Sequence, residues 1–218
     1  MSSRFDLLVF DWDGTLMDST GMIARSIQRA FADVGLPEPS DSDARFVIGY
    51  GLNEAMQYLA PQLDDAQIRS VVDAYRVHFL SKDQDLKLYD GVTEALPRLL
   101  DAGFRLAVAT GKSRAGLDRV LAATGLAPFF ETTRTADEAF SKPHPAMLEF
   151  ILDVTGVEAQ RTLMIGDTTH DLQLAINAGT ASLALSYGAH PLEDLLPLNP
   201  LAHFADFNDL TEWILANA

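Results

Sequence analysis

Leu7-Leu8-Val9-Phe10-Asp11-Trp12-Asp13-Gly14-Thr15-Leu16 is the stretch on which the reading of this chain turns. Its first four residues make a short apolar run bounded by polar residues, the pattern of a strand buried on both faces of a parallel sheet. Two carboxylates follow, two residues apart, where an open α/β sheet presents its ligand crevice. Gly14 lets the backbone turn sharply and approach a ligand, and the Thr15 hydroxyl can fix the loop. By itself Asp-x-Asp-Gly-Thr also reads as an ordinary strand-ending turn. The rest of the chain decides.

Downstream of Leu16 the pattern is helical to about residue 87. Met22, Ile23, Ile27, Ala30, Phe31 and Val34 recur at helical spacing, with Gly35 as a stop. Leu36-Pro37-Glu38-Pro39 links to a second helix that Ser40 or Ser42 can cap. Gly49-Tyr50-Gly51 interrupts it, a third helix carries Leu52, Ala55, Met56 and Leu59, and Asp64 to Phe79 makes a fourth. Residues 17–87 are therefore read as an insertion of four helices. Tyr89-Asp90-Gly91 returns the chain to a strand–helix alternation, with strands expected at Arg105–Ala109, Phe129–Thr133, Thr162–Ile165 and Ser182–Leu185. That alternation predicts an α/β fold, a Rossmann-like doubly wound parallel sheet. The main domain comprises residues 1–16 and 88–218.

The 218 residues leave room for one α/β domain with a sizeable core and a smaller second unit. No apolar run is long enough to span a membrane, and the first residues do not resemble a signal peptide. With no cysteine, thiolate metal sites and thiol nucleophiles are excluded. A cytoplasmic location fits. A formal charge of −15 argues against nucleic acid and anionic membranes as partners. An anionic substrate would then need positive charge concentrated locally, which a bound divalent cation supplies.

Three predicted strands end in reactive or anion-binding residue types: Asp11 and Asp13, then Thr110 with Gly111, then Asp167 followed by Asp171. Lys142, ahead of Pro143, is read as opening a helix whose N-terminus helps attract an anion. All strand carboxyl ends of a parallel sheet share one edge, so these groups converge. Four carboxylates in one crevice require neutralisation, and Mg²⁺ prefers such oxygen ligands.

With these motifs assembled, the chain resembles the haloacid dehalogenase superfamily, in the branch of small phosphatases similar to phosphoglycolate phosphatase. All four superfamily motifs are matched in order, and residues 17–87 sit where those phosphatases carry a small helical cap domain. The resemblance implies Mg²⁺-dependent hydrolysis of a small phosphate monoester, with Asp11 as nucleophile and Asp13 as general acid and base. It implies metal ligation by Asp11, Asp167, Asp171 and the backbone carbonyl of Asp13. Thr110, Gly111 and Lys142 would hold the phosphoryl oxygens. Dehalogenases and phosphonatases of the superfamily lack the second aspartate, so Asp13 favours phosphate-ester chemistry. A phosphomutase resembling β-phosphoglucomutase is the alternative; a phosphoacceptor or binding protein is a further one. The expected partner is a small phosphorylated metabolite, and the expected assembly a monomer or homodimer.

Other residues carry weaker signals. Gly49 to Leu52, Arg25 and Arg45 are candidates to face the crevice. Lys112 and Arg114 are candidates to touch the outer end of a bound substrate, but read better as a solvated helix start. His170 has no ligand-like spacing, and His78, His144, His190 and His203 read as surface or partly packed residues.

Overall fold

The computed structural model describes residues 4–81 and 86–218. Its sheet contains β1 (Leu7–Phe10), β2 (Arg105–Thr110), β3 (Thr132–Thr135), β4 (Thr162–Gly166), β5 (Ala181–Leu185) and β6 (His203–Phe204). These strands are all parallel, in the order β3-β2-β1-β4-β5-β6. The order reverses direction between β1 and β4, and a doubly wound sheet opens its ligand crevice at that point. Phe10 is in register with Val108 on one side and Ile165 on the other. Asp11 is thus the first residue beyond the strand, and its amide still donates to the Ile165 carbonyl at 2.9 Å.

The continuous apolar run of β1 is explained by burial on both faces. Leu8 and Phe10 join a core with α5 (Val92–Asp101), α6 (Arg114–Thr124) and α10 (Phe207–Asn217). Leu7 and Val9 point the other way, against α7 (Ala146–Thr155) and α8 (Thr169–Ala178). Side chains alternate across a strand, so a strand covered by helices on both faces needs apolar residues at every position. The short α9 (Leu192–Leu195) packs Leu195 beside Leu172 and Ala184.

Between β1 and α5 stand α1 (Thr20–Asp33), α2 (Asp41–Phe46), α3 (Leu52–Leu59) and α4 (Asp65–Leu80). Their apolar stripes form a separate cluster, including Ile27, Phe31, Met56, Val71 and Phe79, which among the described buried residues only Ala189 joins from the sheet domain. Local chemistry sets their starts: the Ser40 hydroxyl accepts from the Asp43 amide, and Asp64 with Gln67 forms a reciprocal capping box. Residues 82–85 of the expected insertion lie outside the described residues.

Three expectations need correction. The strand read at Phe129–Thr133 begins later, at Thr132. Pro128 sits in a 3-10 turn, Ala127–Phe129, where its fixed φ and missing N–H suit a tight turn better than a ladder. The helix read from Lys142 begins at Ala146 with Pro145 as its N-cap, so Lys142 lies in the turn before it. A residue preceding proline is pushed out of the α region, which keeps Lys142 and His144 from starting a helix. Finally β6, only two residues long, was not anticipated.

Candidate active site

The carboxyl edge of the sheet gathers Asp11, Thr110, Asp167 and Asp171, all at most 1% exposed. Into them reaches Lys142, whose ammonium lies 2.8 Å from Asp11 Oδ1 and 2.6 Å from Asp171 Oδ1. The Lys142 side chain has no exposure to solvent. Desolvation alone would favour its neutral form, but the two carboxylates outweigh this and hold the ammonium above its ordinary range.

Each carboxylate is held by identifiable neighbours. Asp167 accepts from the Thr15 hydroxyl at 2.7 Å and from the Ala189 amide at 2.7 Å. Asp171 accepts at Oδ2 from the hydroxyl and amide of Thr168, the N-cap of α8. Gly14 has φ +84°, and a Cβ there would fall 2.2 Å from Asp167 Oδ2, so only glycine allows this loop to close over Asp167. Asp11 differs: apart from the Lys142 ion pair, neither of its buried oxygens has an aligned hydrogen-bond donor. Burial pushes its carboxyl up to about 7, partly offset by Lys142 and reinforced by Asp171. Burial, with Asp171 and Asp11 nearby, also drives Asp167 well upward.

Carboxylate oxygens of Asp11, Asp167 and Asp171 lie within 4.8 Å of one another. Three buried acids face one lysine, and Asp11 lacks aligned donors. That donor set fits a hard divalent cation, since oxygen ligands and an excess of negative charge are what Mg²⁺ binds. The Asp13 side chain does not join the cluster. It accepts from the Ser19 hydroxyl at 2.7 Å, and Lys112 Nζ lies 2.9 and 3.0 Å from its two oxygens.

Lys112 is therefore a correction. Its side chain is 7% exposed and engages Asp13 instead of extending into solvent from a helix start. Its own amide donates to Thr110 Oγ1 at 3.2 Å, which ties the two residues into one turn. Arg114 is structural, bonded to Glu138, Asp118 and Thr133. Arg25 is exposed, and Arg45 pairs with Asp41 and Thr20; neither lines the crevice.

The histidine expectation also needs revising. His190 and His170 are both buried, and both stand against the Phe46 carbonyl at the end of α2, at 3.0 and 2.6 Å. A carbonyl only accepts, so each imidazole presents an N–H there. Burial lowers both, His170 to about 4, which leaves neutral rings stacked and edge-packed around Phe46. Together they join the helical insertion to the Asp167–Asp171 loop.

The insertion also touches the phosphate-binding candidates. A Cβ on Gly111 would lie 2.5 Å from the Tyr50 carbonyl oxygen and 2.6 Å from that of Gly49. The Gly51 amide donates to Ser141 Oγ at 2.7 Å, beside Lys142. Gly111→Ala should hold this loop away and cut turnover about 10²-fold with an unchanged circular dichroism spectrum, the scale expected from an ångström of misplacement. Wild-type kinetics in that variant would show that the loop contact is idle.

Comparison with known proteins agrees with this geometry. The profile described as haloacid dehalogenase-like hydrolase matches residues 8–185. The chain belongs to that family. It is 34% identical to the probable phosphatase IndB of Dickeya dadantii, over 94% of this chain and 91% of that protein. It is 31% identical to a phosphoglycolate phosphatase of Vibrio parahaemolyticus, over 97% of each. A crystal structure from Haemophilus somnus, described as a predicted phosphoglycolate phosphatase, superposes with TM-score 0.83 at 28% identity, covering 97% of this chain and 99% of the other. The haloacid dehalogenase-like fold and an enzyme of phosphatase type follow from these matches. No described helix is long and apolar enough to cross a membrane.

Proposed function

We propose that this protein is a Mg²⁺-dependent phosphatase that hydrolyses a small phosphate monoester through an aspartyl-phosphate on Asp11. The observation that carries this reading is the buried cluster of Asp11, Asp167 and Asp171 around Lys142, of which Asp11 lines a cavity together with Asp13, Thr110 and Gly111. Residues 17–87 serve as a cap over that cavity, set on the main domain of residues 1–16 and 88–218.

The side chains of Asp11, Asp167 and Asp171 and the carbonyl of Asp13 would hold the metal. Bound there, Mg²⁺ offsets the negative charge of these acids and of the phosphoryl oxygens. An Asp11 oxygen attacks phosphorus as the ester P–O bond breaks, and Asp13 delivers a proton to the departing alkoxide. Asp13 then takes a proton from the water that attacks the aspartyl-phosphate, which frees inorganic phosphate and restores Asp11. Thr110, the Gly111 amide and Lys142 bind the phosphoryl oxygens where charge develops. Lys112 and Ser19, which grip the Asp13 carboxylate, aim it along this path.

Phosphate release from a panel of small monoesters, with Mg²⁺ or EDTA, tests the reading. Release that needs Mg²⁺ is expected. Folded protein that binds Mg²⁺ yet releases phosphate from no ester would overturn it.

A further inference from the structure

The cavity above Asp11 and Asp13 has a volume of about 520 Å³, within the range of pockets that enclose a drug-sized ligand. Its walls are uneven in character. Besides the carboxylates the cavity is lined by Ile23, Ile27, Val47 and Ile48, and by Tyr75 and Phe79 of α4. Most of these side chains are buried, and Phe79 lies 5.1 Å beneath the Lys112 ammonium. Burial and the nearby Asp13 hold the Tyr75 phenol protonated and far above its ordinary range.

Charge is distributed differently. Among the described lining residues, four carboxylates (Asp11, Asp13, Glu54 and Asp137) stand against the cations Lys112, Arg76 and Arg119. Lys112 is committed to Asp13. Arg76 is 59% exposed and pairs with Asp73 at the mouth, and Arg119 is on the exposed face of α6. A carboxylate on the leaving alcohol would compete with these four acids for the three cations, with neutral side chains such as those of Asn53 and Ser113 as its other partners. An uncharged, apolar alcohol meets a wall that gains by covering it.

We propose that the preferred substrate is a phosphate monoester whose alcohol is uncharged and carries an apolar, ring-sized body, larger than two-carbon glycolate. The inference rests on the phosphatase reading and names its substrate class. The phosphate would sit at Asp11, Thr110 and Lys142, and the alcohol would fill the space between Ile48 and Phe79.

The test compares kcat/KM for 2-phenylethyl phosphate, ethyl phosphate and phosphoglycolate, all esters of primary alcohols, in saturating Mg²⁺. The phenylethyl ester should exceed each of the other two by at least about tenfold, since even one methylene in an apolar pocket is worth about that. Phe79→Ala and, as a second variant, Ile48→Ala should each shrink the phenylethyl-to-ethyl ratio. Preference for phosphoglycolate, or equal turnover of all three, would overturn the substrate class and leave the phosphatase standing. No phosphate from any ester in the wider panel would overturn both.

Discussion

Asp11→Asn should abolish phosphate release and, at neutral pH, make the metal-free protein more stable. The activity loss follows from the loss of the attacking oxygen's charge and is expected on the order of 10⁴-fold or more, as when a nucleophile is removed elsewhere. The gain in stability follows from burial. Asp11 titrates at about 7 in the folded chain, against 3.8 for the unperturbed group. Below the lower value both folded and unfolded states carry the proton, so no penalty exists. As pH rises from about 4 to about 7, the unfolded chain releases that proton before the folded one does, and stability falls. Above 7 the full cost, on the order of a few kcal/mol, is present. Glu138 and Asp6 act oppositely: their arginine partners hold them low, Glu138 to about 2, so their contributions are lost as pH falls. The wild-type-minus-variant difference isolates Asp11. Urea unfolding of both proteins in EDTA between pH 4 and 8 measures it. A difference that stays flat across that window would sink the electrostatic account, and residual turnover near wild type would remove Asp11 as the nucleophile.

The site residues at strand ends were legible in the sequence because a buried parallel strand is written without interruption. Where Leu7–Phe10, Arg105–Thr110 and Thr162–Gly166 stop, Asp11, Thr110 and Asp167 must lie on one edge. The four helices of the insertion were legible for a related reason, since their stripes keep a helical period. What supports the carboxylates was not. Ala189 reaches Asp167 from 22 residues away, and Tyr187 donates to the Thr15 carbonyl from 172 away; no local pattern encodes either contact. Lys112 reads the same whether it is solvated or folded inward onto Asp13. Its burial depends on α4 and on the sheet edge together. His170 and His190 share a single carbonyl, that of Phe46, which belongs to a different part of the fold. Phe129-Phe130 resembled a strand by composition, and Pro128 decided otherwise. Pattern thus reveals which groups share an edge, while the bonds that aim them come from contacts between distant segments.

Lys142→Met should damage folding and catalysis together, for one electrostatic reason. The substitution keeps most of the side chain's volume, so packing among the buried neighbours changes little. It removes the cation that lies between Asp11 and Asp171, both about fully buried. Replacing a whole buried ion pair by apolar groups is often harmless, whereas removing one partner leaves the other charge without compensation and costs roughly 3–5 kcal/mol. Here two carboxylates lose their partner at once. The metal-free variant should therefore unfold at lower urea than wild type at pH 7, and Mg²⁺ should restore part of the difference, because a cation among the same acids replaces some of the lost charge. Turnover in saturating Mg²⁺ should stay depressed by about 10²–10³-fold, the scale for losing one donor to a developing oxyanion. A second substitution separates charge from shape. Asp171→Asn in the Lys142→Met background removes a carboxylate that no longer has its cation, so it should recover stability without recovering activity. The same change in wild type removes the carboxylate nearest the ammonium, 2.6 Å from it, and leaves Lys142 only Asp11, whose own charge burial already opposes. Opposite signs for Asp171→Asn in the two backgrounds are the expected result of the double-mutant cycle. Equal effects in both would mean that Lys142 and Asp171 act independently, and the assignment of this lysine as the charge centre of the site would fail.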